Sequence, residues 1–377
     1  MLIFAAILAF FIYGTIAAML GTILPDLSER FNLSPSQNGT IAFAQALGLI
    51  LASLAVGPLL DNEGKKIGLI LGLILISTVL FALPRSPGFR SITFLLFLLG
   101  LGGATMVTAA NALVSDVGES HRAAALNLTN LFFGVGGLVT PFISANLFKR
   151  NWVRLCYTIA SLALVTLTFD VFTKMPGPTG ASRFVLADAA PVLARPLLFL
   201  VGLFLFLYVS CEVGFWNWLP RHLIAQGISE SRALNILSLG FALGMLVGRA
   251  AVLPVLVHVP AITVTMAGSI AMAVTTFLML RTNRPAFAAA LVFLAGLSMA
   301  PVFPTTLAIV GDAFPRMTGT AIGFVITCGW TGLAVSSRII GLIAGGDPTR
   351  LKKALLVIPA SAVLMVGLDV VIKNTLR

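Results

Sequence analysis

The feature that most constrains this chain is the recurrence of apolar runs of one characteristic length. A helix rising about 1.5 Å per residue needs roughly 20 apolar residues to cross the ~30 Å hydrocarbon core of a bilayer. Runs of that kind recur at 2–25, 36–60, 66–83, 91–114, 122–147, 152–172, 196–219, 232–256, 260–280, 286–310, 318–341 and 351–371. Polar or Pro/Gly clusters separate them, for example at 26–38, 61–66, 84–90, 115–122, 221–232 and 311–317. Lipid offers the backbone no hydrogen bonds, so a crossing segment must satisfy its own. The runs therefore predict an all-α integral membrane protein with twelve transmembrane helices. Composition agrees: 58% of the 377 residues are hydrophobic and 10% charged, against roughly a quarter charged in soluble domains. The first run has no basic lead-in and no clear cleavage site, so it reads as a membrane helix and not as a removable signal.

The longest polar interval follows the sixth run. It divides the chain into a six-helix half at 1–172, a linker at 173–195 and a second six-helix half at 196–377. Two such halves rocking about a central site are a recurrent transporter plan. An even number of crossings puts both termini on one side.

A formal charge of +11 raises the question of nucleic acid. The Lys and Arg residues sit singly or in pairs in the short gaps, without a basic helix or an aromatic-interleaved patch, which argues against a nucleic-acid partner and for lipid headgroups. Cys156, Cys211 and Cys328 fall inside apolar runs with no CxxC pair, so neither a disulfide framework nor a metal site is expected. No nucleophile–base set is legible, and no GxxxxGK[ST] segment would bind ATP. No organic cofactor is implied.

Glycines cluster at Gly100, Gly102 and Gly103, at Gly134, Gly136 and Gly137, and at four-residue spacing at Gly240, Gly244 and Gly248. Such stripes let two helix backbones approach closely. Orientation is poorly marked. Loops after odd-numbered helices hold twelve Lys and Arg and those after even-numbered helices, with the tail, hold ten. Arg249 is counted there as a loop residue. The positive-inside rule does not separate the two sides.

Ionisable and strongly polar groups at membrane depth are functional candidates by default. Glu212 lies deep in the seventh run, and Trp216, four positions on, shares its helical face. A carboxylate beside an indole can accept hydroxyl hydrogen bonds while the ring stacks on the apolar face of a sugar. The same carboxylate can carry a proton or help hold sodium. Asn111 in the fourth run and Asn127 and Asn130 in the fifth offer amides that donate and accept, which suits a polyhydroxylated solute. Arg338, with Ser336 and Ser337, lies near the end of the eleventh run, where it can snorkel to the interface or close a gate. Asp170 and Asp369, near helix ends, read as structural.

Several of these segments resemble the major facilitator superfamily. GPLLDNEGKK at 57–66 resembles its loop signature, with Gly57, Asp61, Gly64, Lys65 and Lys66 in place. Within the superfamily, FFIYG at 10–14, GLGGATMVTAANALV at 100–114, LNLTNLFFGVGG at 126–137, YVSCEVG around Glu212 and FPTTLAI at 303–309 resemble the fucose–glucose–galactose proton symporter group. The resemblance implies a cytoplasmic Asp61 loop acting as a conformational latch, with Asp61 capping or pairing near a helix end and Gly64 allowing a tight turn. It implies cytoplasmic termini and a cytoplasmic linker at 173–195 as well. Gly21 and Val107 stand where fucose permeases carry acidic residues, which leaves Glu212 as the central acid.

The expectation is thus a monomeric secondary transporter in a bacterial inner membrane, moving a small hydrophilic solute such as a monosaccharide by alternating access. Asn111, Asn127, Asn130, Glu212 and Trp216 are expected to line the site, with Glu212 as the coupling group for H+ or Na+. Asp61, Gly64, Lys65, Lys66 and Arg338 are expected to gate it. Export of amphipathic compounds or drugs is the alternative within transport. A non-transporting sugar receptor is the alternative outside it.

Overall fold

In the computed structural model, residues 1–149, 151–178, 191–282, 284–345 and 348–376 are described. Among them, twelve helices are long and apolar enough to cross a membrane. We number them α1 (Leu2–Phe31), α2 (Pro35–Glu63), α3 (Lys65–Ala82), α4 (Phe89–Val117), α5 (Arg122–Asn146) and α6 (Trp152–Phe172). There follow α7 (Pro196–Ala225), α8 (Glu230–Asn235, a π-helical turn Ile236–Ala242, then Leu243–Leu256) and α9 (Ala261–Arg281). The last three are α10 (Pro285–Met299 and Val302–Ala313), α11 (Thr318–Ala344) and α12 (Pro348–Ala354 and Val357–Thr375).

Several ends differ from the hydropathy reading. Helix α1 continues through Pro25 to Phe31, six residues past the expected end. Only there does Asn32 turn the chain, with φ 50°. Ser34 and Gln37 then form a reciprocal capping box, with Pro35 in the first turn, so α2 starts abruptly. The polar stretch at 61–66 is a loop only at Gly64, with φ 89°. Asp61 still belongs to α2, while Lys65 and Lys66 open α3. Hydropathy ends a helix where lipid ends, whereas hydrogen bonding continues until a cap or a positive φ stops it.

Arg249 needs a larger correction. It is not in a loop but inside α8, 4% exposed. The run at 232–256 already passes through it, so the error lies in the loop-charge count and not in the hydropathy profile.

Two compact units result. Unit 1 comprises Met1–Ala125, Thr129–Leu193 and Phe314–Thr327, and unit 2 comprises Leu126–Leu128, Ala194–Ala313 and Cys328–Arg377. In unit 1, α4 packs on α1, α2 and α3, and α6 on α1 and α3. In unit 2, α12 packs on α7 and α9, and α10 on α8 and α9. Large side chains such as Phe43, Phe94, Phe142, Phe172 and Leu342 point outward. That is unfavourable in water and natural against acyl chains. Residues 179–190 of the expected linker, Arg150 and Arg377 lie outside the described residues.

Candidate functional site

In unit 1, Asn111 has no exposed surface. Its Nδ2 donates to the Val107 carbonyl one turn back at 2.9 Å, while its Oδ1 is buried without a partner among the described residues. Thr108 Oγ1, three residues earlier, is in the same condition. An unsatisfied buried acceptor costs about 1–3 kcal/mol, and a ligand hydroxyl would satisfy it. Asn130 is buried in the same unit at 4% exposure.

Unit 1 also holds the loop signature. Asp61, 2% exposed, accepts from the Gly319 amide at 2.8 Å and the Thr320 amide at 2.7 Å. Those are two of the donors left open in the first turn of α11, so the carboxylate caps that helix and meets the positive end of its dipole. Lys65 Nζ stands 3.6 Å from Asp61 and 2.9 Å from Asp116. The approach depends on glycine. A Cβ on Gly57 would stand 2.7 Å from the Gly319 carbonyl, and one on Gly319 would stand 2.8 Å from Asp61 Oδ1. Lys66 Nζ reaches the carbonyls of Val171 and Thr173 at 2.7 and 2.9 Å, at the C-terminal end of α6.

Unit 2 contains the central acid. Glu212 is half-buried in α7, where it faces the Arg249 guanidinium and lies within hydrogen-bonding reach of the Tyr208 hydroxyl. Both partners are anchored on the break in α10. The Tyr208 hydroxyl donates to the Met299 carbonyl at 2.9 Å, and Arg249 Nε donates to the Ala300 carbonyl at 3.4 Å. Helix α10 is interrupted at Ala300 and Pro301, and Pro304, four residues past Ala300, has no N–H to offer the Ala300 carbonyl. The carbonyls at the interruption are therefore available to side chains. Tyr208 has a single hydroxyl proton, so it serves either Met299 or Glu212 at one moment.

Trp216 follows Glu212 by one turn and is 36% exposed. Its ring meets Phe241 edge-on at 5.2 Å, in the π-helical part of α8. Asn127 has no exposed surface, and its Nδ2 donates to Thr305 Oγ1 at 3.0 Å in the second part of α10. Arg338 is exposed on α11, about twenty residues beyond the helix start that Asp61 caps and close to the other end. Ser336 is buried; the Ser337 side chain lies outside the described residues.

Thus unit 2 brings together Glu212, Arg249, Tyr208 and the α10 break, and sequence reasoning found only the first of these. The available signal was an arginine within a glycine-spaced helix, GMLVGRAA at 244–251, followed along the chain by a proline inside another apolar run.

Twelve membrane-length helices with an acid-capped eleventh helix define a class. The Major Facilitator Superfamily model matches residues 6–337, and the chain belongs to that superfamily. It is a multi-pass membrane transporter, not an enzyme. Among individual proteins, the glucose/mannose transporter GlcP of Bacillus subtilis (strain 168) is 25% identical over 385 residues, covering 97% of this chain and 93% of GlcP. Protein TsgA of Escherichia coli O6:K15:H31 is 23% identical over 352 residues, covering 89% of this chain and 86% of TsgA. The structure of the E. coli fucose:proton symporter FucP is similar across 98% of both chains, with a TM-score of 0.85 at 17% identity. That likeness carries the fold.

Proposed function

We propose that the protein is a secondary active transporter of a small sugar-like solute, working by alternating access. The observation that carries this reading is the Glu212 cluster. An acid with an arginine and a tyrosine hydroxyl beside it, and an indole one turn on, offers both acceptors and donors to hydroxyls and a flat face to a pyranose. The near full-length likeness to a glucose/mannose transporter and to a fucose symporter supports it. In this reading Asn111, Asn127, Asn130, Glu212 and Trp216 contact the solute, with 1–172 and 196–377 as the moving halves and 173–195 joining them. The protein works as a monomer in a bacterial inner membrane, with termini and the Asp61 corner cytoplasmic.

Glu212 is also the coupling group. A proton or sodium ion arriving there competes with Arg249 for the carboxylate. Cation and solute binding are then linked through one cluster, with reciprocal effects on affinity. Asp61, Gly64, Lys65 and Lys66 hold the conformation in which α11 is capped, and Arg338 gates at the opposite end of that helix.

A pocket of about 180 Å³ favours a second reading. Phe206, Val335, Ile339, Ile340 and Val357 line it, with Ser210 among the few polar groups. Such a wall suits an amphipathic compound, and the protein would then be an exporter.

Counterflow in proteoliposomes separates the two, because it requires only binding and alternating access. Labelled monosaccharides are expected to give saturable counterflow dependent on pH or sodium. Glu212→Gln should abolish the cation dependence while the protein still folds. A silent sugar panel from folded protein, with lipophilic compounds protecting it against heat, would replace the uptake reading by export. Unchanged cation coupling in the Gln variant would remove Glu212 from that role.

A further inference from the structure

Near their ends, α6 and α12 share a short pattern, with Asp170, Val171 and Lys174 in one and Asp369, Val370 and Lys373 in the other. Both acids are buried, at 0% and 1% exposure, yet their surroundings differ. Asp170 has a cation beside it, Lys66, which is anchored on the carbonyls around it. Asp369 faces only two hydroxyls of α9. Thr265 Oγ1 lies 2.8 Å from Asp369 Oδ1, and Ser269 Oγ lies 3.2 Å from Asp369 Oδ2.

Among the described residues no basic group forms an ion pair with Asp369. Lys373, one turn along α12, forms no ion pair with it. On α7, which also packs against α12, Cys211 touches Ile358 and His222 faces Lys352. Both contacts are at the far end of α12. Among the described residues no charge on either neighbouring helix compensates an ionised Asp369, and burying an uncompensated carboxylate is strongly unfavourable.

The hydroxyl geometry says where one additional proton belongs. Thr265 Oγ1 can donate to the Ile262 carbonyl at 3.0 Å or to Asp369 Oδ1 at 2.8 Å. Ser269 Oγ can donate to the Thr265 carbonyl at 2.9 Å or to Asp369 Oδ2 at 3.2 Å. Each hydroxyl has one proton. The shorter contacts send the threonine proton to Oδ1 and the serine proton to the backbone. Oδ2 then faces the lone pairs of Ser269 Oγ, a contact that is bonded only if Oδ2 itself carries a proton. One proton on Oδ2 completes an unbroken relay: Asp369 to Ser269 to the Thr265 carbonyl, with Thr265 closing on Oδ1.

We propose that Asp369, Thr265 and Ser269 form a proton-binding site between α9 and α12, with the proton on Asp369 Oδ2. The site is separate from the Glu212 cluster and stands whether or not the transported solute is a sugar.

Infrared difference spectroscopy of the purified, lipid-reconstituted protein tests it. At about pH 7.5, well above the ordinary aspartate value of about 3.9, the wild type should show a protonated-carboxyl stretch that shifts in deuterium oxide. Asp369→Asn should lack this band. Ser269→Ala and Thr265→Val keep the acid and shift the band instead, so the assignment survives if the Asn variant does not fold. A proton held by the folded protein and released on unfolding makes stability fall as pH rises, by up to tenfold per pH unit in the folding equilibrium. The wild type should therefore lose thermal stability with rising pH more steeply than Asp369→Asn. A wild-type spectrum without the band, a band unaffected by all three substitutions, or a band abolished by sodium but not by choline would each overturn the proposal, the last by placing a metal cation there.

Discussion

At Asp61 two carboxylate oxygens serve two separate amide donors in the first turn of α11. An asparagine in its place has a single acceptor oxygen and would turn an NH2 group toward an N–H. Asp61→Asn should therefore lose one charge-assisted hydrogen bond and weaken the other, a cost of roughly 1.5–3 kcal/mol. The expected result is a lower thermal unfolding midpoint for the purified protein together with reduced counterflow. Unchanged melting would mean that the cap contributes nothing to the folded state. The acid itself was legible, since Asp61 stands in a short motif with Gly57 and Gly64. Its partners were not, because they are backbone amides far along the chain, and backbone amides carry no sequence signature. Arg249 was missed for a different reason. Its run at 232–256 was legible, but a lone arginine carries no sign in the sequence of whether it meets a loop, a headgroup or a buried acid.

Among the helices, the closest packing is backbone against backbone. A Cβ on Gly48 would overlap the Phe97 carbonyl of α4, and one on Gly100 would overlap the Gln45 carbonyl of α2. The same reciprocity joins α8 and α10, where Gly244 meets Phe293 and Gly296 meets Phe241. Neither a carbonyl nor a helix axis can yield as a flexible side chain does. A single methyl at Gly48 or Gly244 should destabilise by about 1–3 kcal/mol. Gly21, with nothing within 4 Å of its Cβ position, is the control, and Gly21→Ala should leave melting unchanged. Thermal unfolding of the three alanine variants checks this, and equal midpoints would sink the steric account. The stripe at 240–248 announced close approach in the sequence. It did not announce the partner helix, nor that Gly240 meets the side chain of Val292 while Gly244 meets backbone. Element existence was readable because length and hydropathy suffice in lipid. The α10 break was not, since one proline inside a helix is tolerated there and only the structure shows that Ala300 and Pro301 leave the helix.

For the whole molecule, twelve membrane-length helices among the described residues would, if all cross, put the two ends on one side, but the near-even spread of Lys and Arg gives insertion little direction. A fluorescent protein fused after residue 377 should mature in the cytoplasm, and alkaline phosphatase fused there should stay inactive. The reverse pair of results would invert the proposed orientation. The glycine contacts bear on a different question. Gly48 and Gly100 stand to Gly244 and Gly296 at one constant displacement along the chain, and Gly136 stands to Gly332 in the same way. Because each is required for an atom it lacks, these positions superimpose one stretch of chain on the other without appeal to side-chain likeness. At that displacement Glu212 falls on Ile16, Arg249 on Ser53 and Asn111 on Leu307. The scaffold is stated twice and the chemistry once. Under the proposed function, so uneven a set of groups favours one orientation of the solute, and a mirror-image or end-for-end isomer should be carried more slowly.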